Sequence, residues 1–313
     1  MIGLLPLLLA PAPLELSGWL VSWNPQSIQS FTKNAAQFSE VFPEWIMVTE
    51  DGRAVRRRQL PNEYTKPLFA AARKNKIAVY GMASNYAGTG FEATRMTKML
   101  ADPKKRTQHV ADMLAITKAD GLDGIDLDYE SLPATDRENF SKFVVELGAA
   151  LKKAKKKFSV TVHPKESEPG NWDGPKAQDW AAIGKAVDRF RIMCYDFSWA
   201  DSGAGPIAPD DWVERVMTFA KTVVPANKLD MGIACYGYDW SKKPALSIVA
   251  GDLPKVAFEI DPRSGERRVN QMYFGGPESA KRKSILAKKL GIRGLSAWYI
   301  GSEIDGTWDA IER

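Results

Sequence analysis

The sequence predicts an α/β fold in which eight parallel strands alternate with helices and close into a (β/α)8 TIM barrel. Three observations predict it. Short runs rich in β-branched and aromatic residues occur eight times, amphipathic stretches lie between most of them, and 313 residues suit one such barrel. A doubly wound open sheet is the alternative, but no GxGxxG motif follows the first strand.

The predicted strands are apolar runs close to turn-forming residues. They are GWLVSW 18–23, WIMVTE 45–50, IAVYGMAS 77–84, GIDLDYE 124–130, FSVTVHP 158–164, FRIMCYD 190–196, LDMGIACYGY 229–238 and GLSAWYI 294–300. Helices are predicted near 62–74, 103–121, 135–155, 176–187, 209–223 and 278–290. The helix at 135–155 has the clearest signal, because Thr135 and Glu138 fit a capping box ahead of an apolar stripe.

The connection between the seventh and eighth strands is longer than the others. Residues 239–277 contain VAFEIDPRSGERRVNQMYF, in which DPRSG at 261–265 predicts a hairpin turn. We therefore expect a short hairpin-containing insertion above the C-terminal face of the barrel.

The N-terminus predicts export. Residues 1–14 contain an apolar run followed by Ala10-Pro11-Ala12, which is typical of a signal peptide and too short to span a membrane. The signal is atypical, because no Lys or Arg precedes the run. We expect a secreted or cell-envelope protein with one domain over 15–313.

Composition limits the chemistry. Cys194 and Cys235 are too few for a disulfide framework or a multi-cysteine zinc site, and we expect both thiols to be free and buried. Two histidines do not support a histidine-rich metal centre. The net charge of +5 slightly favours an anionic polymer, and no nucleic-acid motif accompanies it. We expect a monomer without cofactor or metal, whose acid–base chemistry falls to carboxylates and tyrosines.

The stretch DGIDLDYE at 123–130 places four carboxylates within eight residues of a predicted strand. Because side chains alternate along a strand, Asp126, Asp128 and Glu130 face the barrel interior and climb toward its C-terminal mouth. Neighbouring acids roughly 6–7 Å apart, at an effective dielectric of about 20, repel by about 2–3 kcal/mol. A proton is therefore shared or a pKa is raised, which keeps a carboxylic acid protonated near neutral pH.

Three other interpretations of these four acids are an EF-hand, a glycosyltransferase metal site and a solvated strand. A calcium EF-hand fails, because Ser131 stands where position 6 requires Gly. Asp126-Leu127-Asp128 fits the D-x-D metal site of a glycosyltransferase. A solvated acidic strand does not explain the apolar residues between the acids.

DGIDLDYE resembles the D-x-x-D-x-D-x-E signature of glycoside hydrolase family 18, the chitinase-like family, on its fourth barrel strand. Three later segments are similar to that family in the same order: RIMCYDF, KLDMGIACYGYDW and GLSAWYIGSE. The seventh-strand segment and the short insertion most resemble the branch of bacterial spore-germination and cortex-lytic hydrolases. Many chitinases have Tyr directly after the catalytic Glu, whereas this chain has Ser131.

The resemblance implies a retaining glycosidase of the chitinase or endo-β-N-acetylglucosaminidase type. It would cleave β-1,4-linked N-acetylglucosamine polymers, either chitin or cell-wall glycan, with the sugar's own acetamide oxygen attacking the anomeric carbon. Glu130 would be the general acid and later the base, and Asp128 would hold the acetamide. Asp126 would share a proton with Asp128, and Tyr195 would donate its hydroxyl to the acetamide oxygen.

The resemblance also implies substrate-binding residues. Asp123 would support the acidic row, Asp196 would bind the same sugar, Met193 would shape the pocket and Trp298 would form its floor. Aromatic residues near the predicted strand ends are candidates for stacking on sugars: Tyr236, Trp23, Trp45, Tyr86, Trp172, Trp199 and Trp240.

Two other functions remain open at this point. One is a catalytically silent sugar-binding protein of the lectin type on the same barrel, although the usual sign of that is loss of the acid that Glu130 supplies. The other is a metal-dependent glycosyltransferase that uses the D-x-D sequence.

Overall fold

The computed structural model describes residues 13–57 and 60–313. Its strands are β1 (Glu15–Leu20), β2 (Glu40–Val48), β3 (Ala54–Arg56), β4 (Ala78–Ser84), β5 (Gly124–Asp128), β6 (Lys157–Val162), β7 (Arg189–Ile192), β8 (Leu229–Ala234), β9 (Gly237–Asp239), β10 (Leu246–Ile248), β11 (Glu259–Ile260), β12 (Arg267–Val269), β13 (Met272–Phe274) and β14 (Gly294–Trp298). Eight of them pair in parallel in the order β1-β14-β8-β7-β6-β5-β4-β2, and pairing between β1 and β2 closes the barrel. The predicted TIM barrel is confirmed.

Helices surround this barrel. They are α1 (Pro25–Asn34), α2 (Asn62–Asn75), α3 (Ala93–Ala101), α4 (Pro103–Ala119), α5 (Arg137–Lys153), α6 (Asp173–Lys176), α7 (Trp180–Ala186), α8 (Asp210–Val223), α9 (Pro277–Leu290) and α10 (Thr307–Ala310). Within the described ranges, none of these helices has the length and apolar character needed to cross a membrane. The predicted signal peptide falls mainly on residues 1–12, outside the described residues.

All eight predicted strands are present, with ends that differ by a few residues. β1 ends at Leu20 because the chain turns there, and the N–H of Val21 donates to Ser27 Oγ at 3.1 Å. The predicted capping box is wrong. A 3-10 turn at Ala134–Asp136 precedes α5, and no side chain caps that helix.

Three helical elements differ from the prediction. The sequence does not predict α1, since it buries only Ser27 and Phe31 and therefore shows almost no apolar stripe. It also does not predict α3, a helix of 9 residues that buries two methionines and a leucine. The helix expected at 176–187 is divided into α6 and α7.

The insertion between β8 and β14 folds as an antiparallel sheet in the order β10-β9-β13-β12-β11. The predicted hairpin is confirmed by the pairing of Glu259 with Arg268 across its turn. Glu266 attaches this sheet to the barrel, because its buried carboxylate accepts hydrogen bonds from the N–H groups of Ile207 and Ala208, each at 2.8 Å. The insertion is thus held beside the loop that follows β7.

Alternation along β5 separates two environments. Ile125, Leu127 and Tyr129 are buried toward the helices, where the Tyr129 ring stacks on Phe143 and its hydroxyl lies 2.6 Å from His109 Nε2. The acids of the same strand face inward, as the sequence predicts. Both cysteines are free and buried.

Candidate active site

The acidic row runs up the barrel interior from Asp126 to the mouth. Asp126 is fully buried and accepts hydrogen bonds from Trp19 Nε1 at 2.9 Å, Ser159 Oγ at 2.5 Å and Thr161 Oγ1 at 3.3 Å. These donors come from β1 and β6, so barrel closure supplies the surroundings of this acid. Asp126 is thereby fixed at the base of the row.

A buried arginine lies beneath the row. The guanidinium of Arg191 on β7 is 3.4 Å from the Asp126 carboxylate, and it also forms ion pairs with Glu40 and Asp230. Arg293 adds a second cation to the last two acids. The lower barrel interior is therefore an ionic network in which each buried charge has an opposite partner.

Sequence reasoning did not single out Arg191, although a signal was present. Arg191 has the same inward parity as Met193 and Tyr195 on an otherwise apolar strand. A charged residue at an inward position of a barrel strand indicates a buried partner, since an unpaired buried charge is strongly destabilising.

Asp128 and Glu130 occupy the upper part of the row. Burial, followed by repulsion from Glu130 and Asp126, raises the pKa of Asp128 well above its usual range, and Asp128 Oδ1 has no hydrogen-bond partner among the described residues. Burial, with a smaller contribution from the Asp196 carboxylate, raises the pKa of Glu130 to about 8. Glu130 therefore holds its proton at neutral pH and can donate it.

A tyrosine cluster positions Asp196 after β7. The hydroxyls of Tyr236 and Tyr238 donate to Asp196 Oδ1, the latter at 3.1 Å. Burial raises the pKa of Asp196, while these two hydrogen bonds partly oppose that rise. The Tyr195 ring lies edge-on to Tyr236, with 6.0 Å between ring centroids. Sequence reasoning missed Tyr238. It follows Tyr236 by two residues and therefore shares its face of the chain.

A cleft of about 550 Å³ opens above the row. Trp298 forms part of its wall and lies edge-on to Trp19, with 5.8 Å between ring centroids. Most of the predicted site residues line the cleft: Asp128, Glu130, Met193, Tyr195, Asp196, Tyr236 and Trp298. Asp126 lies below it. The structure thus brings together side chains from β5, β14 and the segments that follow β5, β7 and β8.

Asp123 does not join this group. Its carboxylate accepts a hydrogen bond from the N–H of Val79 at 2.9 Å, and its own N–H donates to Val79 O at 2.8 Å. These bonds hold it at the N-terminal end of β5, beside the start of β4 and away from the mouth. Asp123 thus lies outside the cleft wall formed by the described residues, and its hydrogen bonds join two strands.

The predicted stacking aromatics divide into two groups. Trp23 and Tyr86 line the cleft together with Tyr236. Trp45 is buried on the outer side of the barrel, where its Nε1 donates to Asp120 at 2.6 Å. Trp172, Trp199 and Trp240 are absent from the cleft wall formed by the described residues.

The pattern of glycosyl hydrolases family 18 matches residues 86–303, which include the acidic row, the tyrosine cluster and Trp298. The chain belongs to glycosyl hydrolase family 18. It is therefore a glycosidase, and the family resemblance of its motifs is confirmed.

Relatives of this family 18 enzyme include two proteins of Bacillus subtilis. It is 27% identical over 264 residues to the glycosylase YvbX of Bacillus subtilis (strain 168), covering 77% of this chain and 76% of that protein. It is 28% identical over 235 residues to the cortical fragment-lytic enzyme of that strain, covering 67% of this chain and 54% of that enzyme. The chain thus spans about half of the latter's length.

A solved structure supports the same fold. The class V chitinase of Pseudomonas fluorescens Pf-5 superposes with a TM-score of 0.86 at 24% sequence identity, covering 96% of this chain and 98% of that one. The family 18 barrel therefore extends over nearly the whole described chain.

In this family 18 site, the side chain of Asn85 holds the main chain of Glu130 by hydrogen bonds. Asn85, just after β4, accepts a hydrogen bond from Glu130 N–H and donates one to its carbonyl oxygen, each at 2.9 Å. Ser131 then adopts a positive φ of 57°, which turns the chain out of the strand. Sequence reasoning missed Asn85, whose only signal is its position at the end of a barrel strand.

The D-x-D interpretation does not fit this geometry. Asp126 is already occupied by Arg191 and by the donors from β1 and β6. In the part of the chain that the structure describes, no group of three or more His, Cys, Asp or Glu side chains is arranged to hold a metal ion. The glycosyltransferase alternative therefore lacks a ligand set here.

Proposed function

We propose that this family 18 enzyme is a retaining glycosidase that cleaves β-1,4-linked N-acetylglucosamine polymers, with Glu130 as general acid and then general base. The observation that carries the proposal is the position of Glu130 in the cleft wall, protonated at neutral pH because its pKa is raised to about 8. Its neighbours Asp128 and Tyr195 line the same cleft.

In the first step, Glu130 gives its proton to the glycosidic oxygen as the bond to the anomeric carbon breaks. The oxygen of the sugar's 2-acetamido group attacks that carbon and forms an oxazolinium ion. Asp128 accepts a hydrogen bond from the acetamide N–H, and its carboxylate stabilises the positive charge that develops. The Tyr195 hydroxyl donates to the acetamide oxygen and orients it for attack.

In the second step, a water molecule attacks the anomeric carbon. The Glu130 carboxylate takes a proton from this water, and the acetamide oxygen leaves the carbon. Two successive displacements return the anomeric centre to its original configuration. Glu130 ends the cycle protonated.

The charged residues that line the cleft indicate which kind of sugar unit it accepts. It contains four carboxyl side chains, Glu44, Asp128, Glu130 and Asp196, and no Lys or Arg of the described residues. Uncharged N-acetylglucosamine units fit such a lining better than units that carry a carboxylate, because like charges repel. The described lining of the cleft therefore contributes no Lys or Arg to the net charge of +5. Relatives named as a chitinase and a cortical fragment-lytic enzyme support this substrate class.

The same proposal places the enzyme outside the cytoplasmic membrane, in the secreted or cell-envelope fraction. Polymers of N-acetylglucosamine are found there, and residues 1–14 have the composition of an export signal. Detection of a mature protein that begins after Ala12 would support this part of the proposal, and an intact Met1 on extracted protein would contradict it.

The test is release of chromophore from a β-linked aryl chitobioside by the wild type and by Glu130→Gln. A matched control is Glu138→Gln, which changes an exposed Glu on α5 that pairs with Lys142. We expect turnover in the wild type and the control, and loss of turnover in Glu130→Gln. Equal rates in all three proteins would contradict the role of Glu130.

The stereochemical outcome is tested separately by proton NMR of the first product formed from chitotetraose. A β-anomer is expected, since retention follows from the acetamide mechanism. An α-anomer would contradict that mechanism while leaving hydrolysis intact.

A further inference from the structure

A histidine at the end of β6 touches the carboxyl group of Glu130. Nε2 of His163 lies 3.7 Å from Glu130 Oε2, and both side chains are largely buried. His163 Nε2 is itself buried and has no hydrogen-bond partner among the described residues. Among the described residues, Glu130 forms hydrogen bonds through its main chain, with the side chain of Asn85. Nε2 is therefore a polar group offered to the Glu130 carboxyl from the end of a neighbouring strand.

The His163 ring is held in place from three sides. Its backbone N–H donates to Gln178 Oε1 at 2.8 Å, and its ring lies edge-on to Trp172, with 4.6 Å between centroids. Gly174 lies against both rings: a Cβ there would come within 2.7 Å of His163 Cδ2 and 2.4 Å of the Trp172 ring. A side chain fixed so closely, with its buried and unpartnered Nε2 near the carboxyl of the proposed acid, is suited to positioning that acid.

The charge state of His163 decides whether its contact with Glu130 is an ion pair or a hydrogen-bonding position. Burial lowers the pKa of His163 to about 4, so the imidazole is neutral at pH 7. The contact is therefore a hydrogen-bonding position and not an ion pair. The other titratable groups that face Glu130 are Asp128 on its own strand, and Tyr195 and Asp196 from the segment after β7. In the tautomer with its proton on Nε2, His163 is the nitrogen donor among these groups.

We propose that His163 is a positioning residue that donates its Nε2–H to the Glu130 carboxylate after Glu130 has protonated the leaving oxygen. A small rotation of the carboxyl group closes the present 3.7 Å separation to hydrogen-bonding distance. The bond holds the carboxylate toward the attacking water, from which Glu130 then takes a proton. The His163 proton stays on the ring throughout. This inference rests on the proposed function of Glu130.

Loss of the His163 N–H donor should change the Glu130 pKa in a defined direction. A hydrogen bond to the charged form of an acid stabilises that form and lowers the pKa. In His163→Leu the Glu130 pKa should therefore rise by about one unit, and the alkaline limit of kcat/KM should move up with it. kcat should fall about 10- to 100-fold and KM should fall with it, because the carboxylate exists only after the first step, which sets kcat/KM.

His163→Gln keeps an N–H donor close to the position of Nε2 and should restore part of kcat and most of the wild-type pH limit. Trp172→Phe preserves ring packing against His163 and serves as the control for packing alone. Thermal unfolding of each variant checks that it is folded.

The decisive readout does not need turnover. Titration of the Glu130 side-chain carboxyl by carbon-13 NMR, in wild type and His163→Leu, should show the higher pKa in the variant. An unchanged Glu130 pKa, with His163→Gln as impaired as His163→Leu, would overturn the proposal. If the wild type and Glu138→Gln show no turnover on any N-acetylglucosamine substrate while the NMR shift is present, the proposed function fails and the His163–Glu130 contact stands.

Discussion

The guanidinium of Arg191 lies 3.4 Å from the carboxylate of Asp126, and both side chains are completely buried beneath the active-site cleft. The pair joins β7 to β5 through the barrel interior. Because Arg191 also contacts Glu40 and Asp230, one cation serves acids from three strands. The acidic row thus rests on a compensated base, and the two acids whose pKa is raised, mainly by burial, lie higher in the row, at Asp128 and Glu130.

Arg191→Met should destabilise the protein strongly. The variant keeps most of the side-chain volume but leaves the acids around it without their shared cation, at a cost of about 3–5 kcal/mol. Urea unfolding measures this free energy. The matched control is Arg215→Met, which breaks exposed ion pairs with Glu166 and Asp211 and should cost less than about 1 kcal/mol. Equal losses would show that the buried network contributes no more than surface pairs.

The pH dependence of catalysis should have an alkaline limit near pH 8. Glu130 must be protonated to act as an acid, and its pKa is raised to about 8, so kcat/KM is present below that pH and falls above it. Asp196→Asn removes the neighbouring carboxylate that contributes to the rise, and the limit should move to lower pH. A profile of kcat/KM from pH 5 to 10 for both proteins checks this. A limit that moves to higher pH in the variant would contradict it.

Tyr195→Phe tests the hydroxyl proposed to orient the acetamide. Loss of one donor to a group that develops charge should lower kcat by about 100-fold. The ring packing against Tyr236 remains, so the thermal unfolding temperature should change little. Tyr273→Phe, a change on β13 outside the cleft wall, should leave kcat near the wild-type value. A rate for Tyr195→Phe within threefold of wild type would refute the orienting role.

Asp123→Ala distinguishes a structural acid from a catalytic one. The variant leaves the Val79 N–H without its partner and should cost about 1–2 kcal/mol of unfolding free energy. Activity per folded molecule should stay close to that of the wild type, since Asp123 lies at the N-terminal end of β5. Asp126→Ala, three residues along the strand, should lose most activity. A large loss of kcat in folded Asp123→Ala would restore the motif-based expectation.

His109 links stability to pH. Burial lowers the pKa of His109 to about 4, below the ordinary value of about 6.5, so the unfolded chain binds a proton that the folded protein excludes. The stabilising contribution of His109 is therefore complete above about pH 6.5 and is lost as the pH falls toward 4. The destabilisation caused by His109→Gln should accordingly shrink by about 2 kcal/mol between pH 7 and pH 5. Urea unfolding of both proteins at both pH values measures this, and a pH-independent difference would contradict it.

Local pattern was sufficient for much of the fold and site. The period of two along DGIDLDYE decided which acids face inward, and the same parity placed Met193 with Tyr195, because strand alternation depends only on neighbouring residues. The eight apolar runs likewise determined the barrel strands. Predicted ends were less accurate, since β1 ends where Val21 bonds to Ser27 on the next helix. The contact of Asp123 with Val79 could not be predicted, because the motif position carries no information on which strand its carboxylate reaches.

What the sequence determined by itself is the family motif, the barrel and the inward acids, since each is encoded in short stretches of adjacent residues. Only the tertiary structure decided which groups meet. Arg191 and Asp126 are separated by 65 positions, and Tyr238 and Asp196 by 42, yet barrel closure brings each pair into contact. The tertiary structure also decided that burial, more than repulsion between neighbouring acids, raises the pKa of Glu130. The physical reason is that desolvation depends on every element packed around a group, which no single segment specifies.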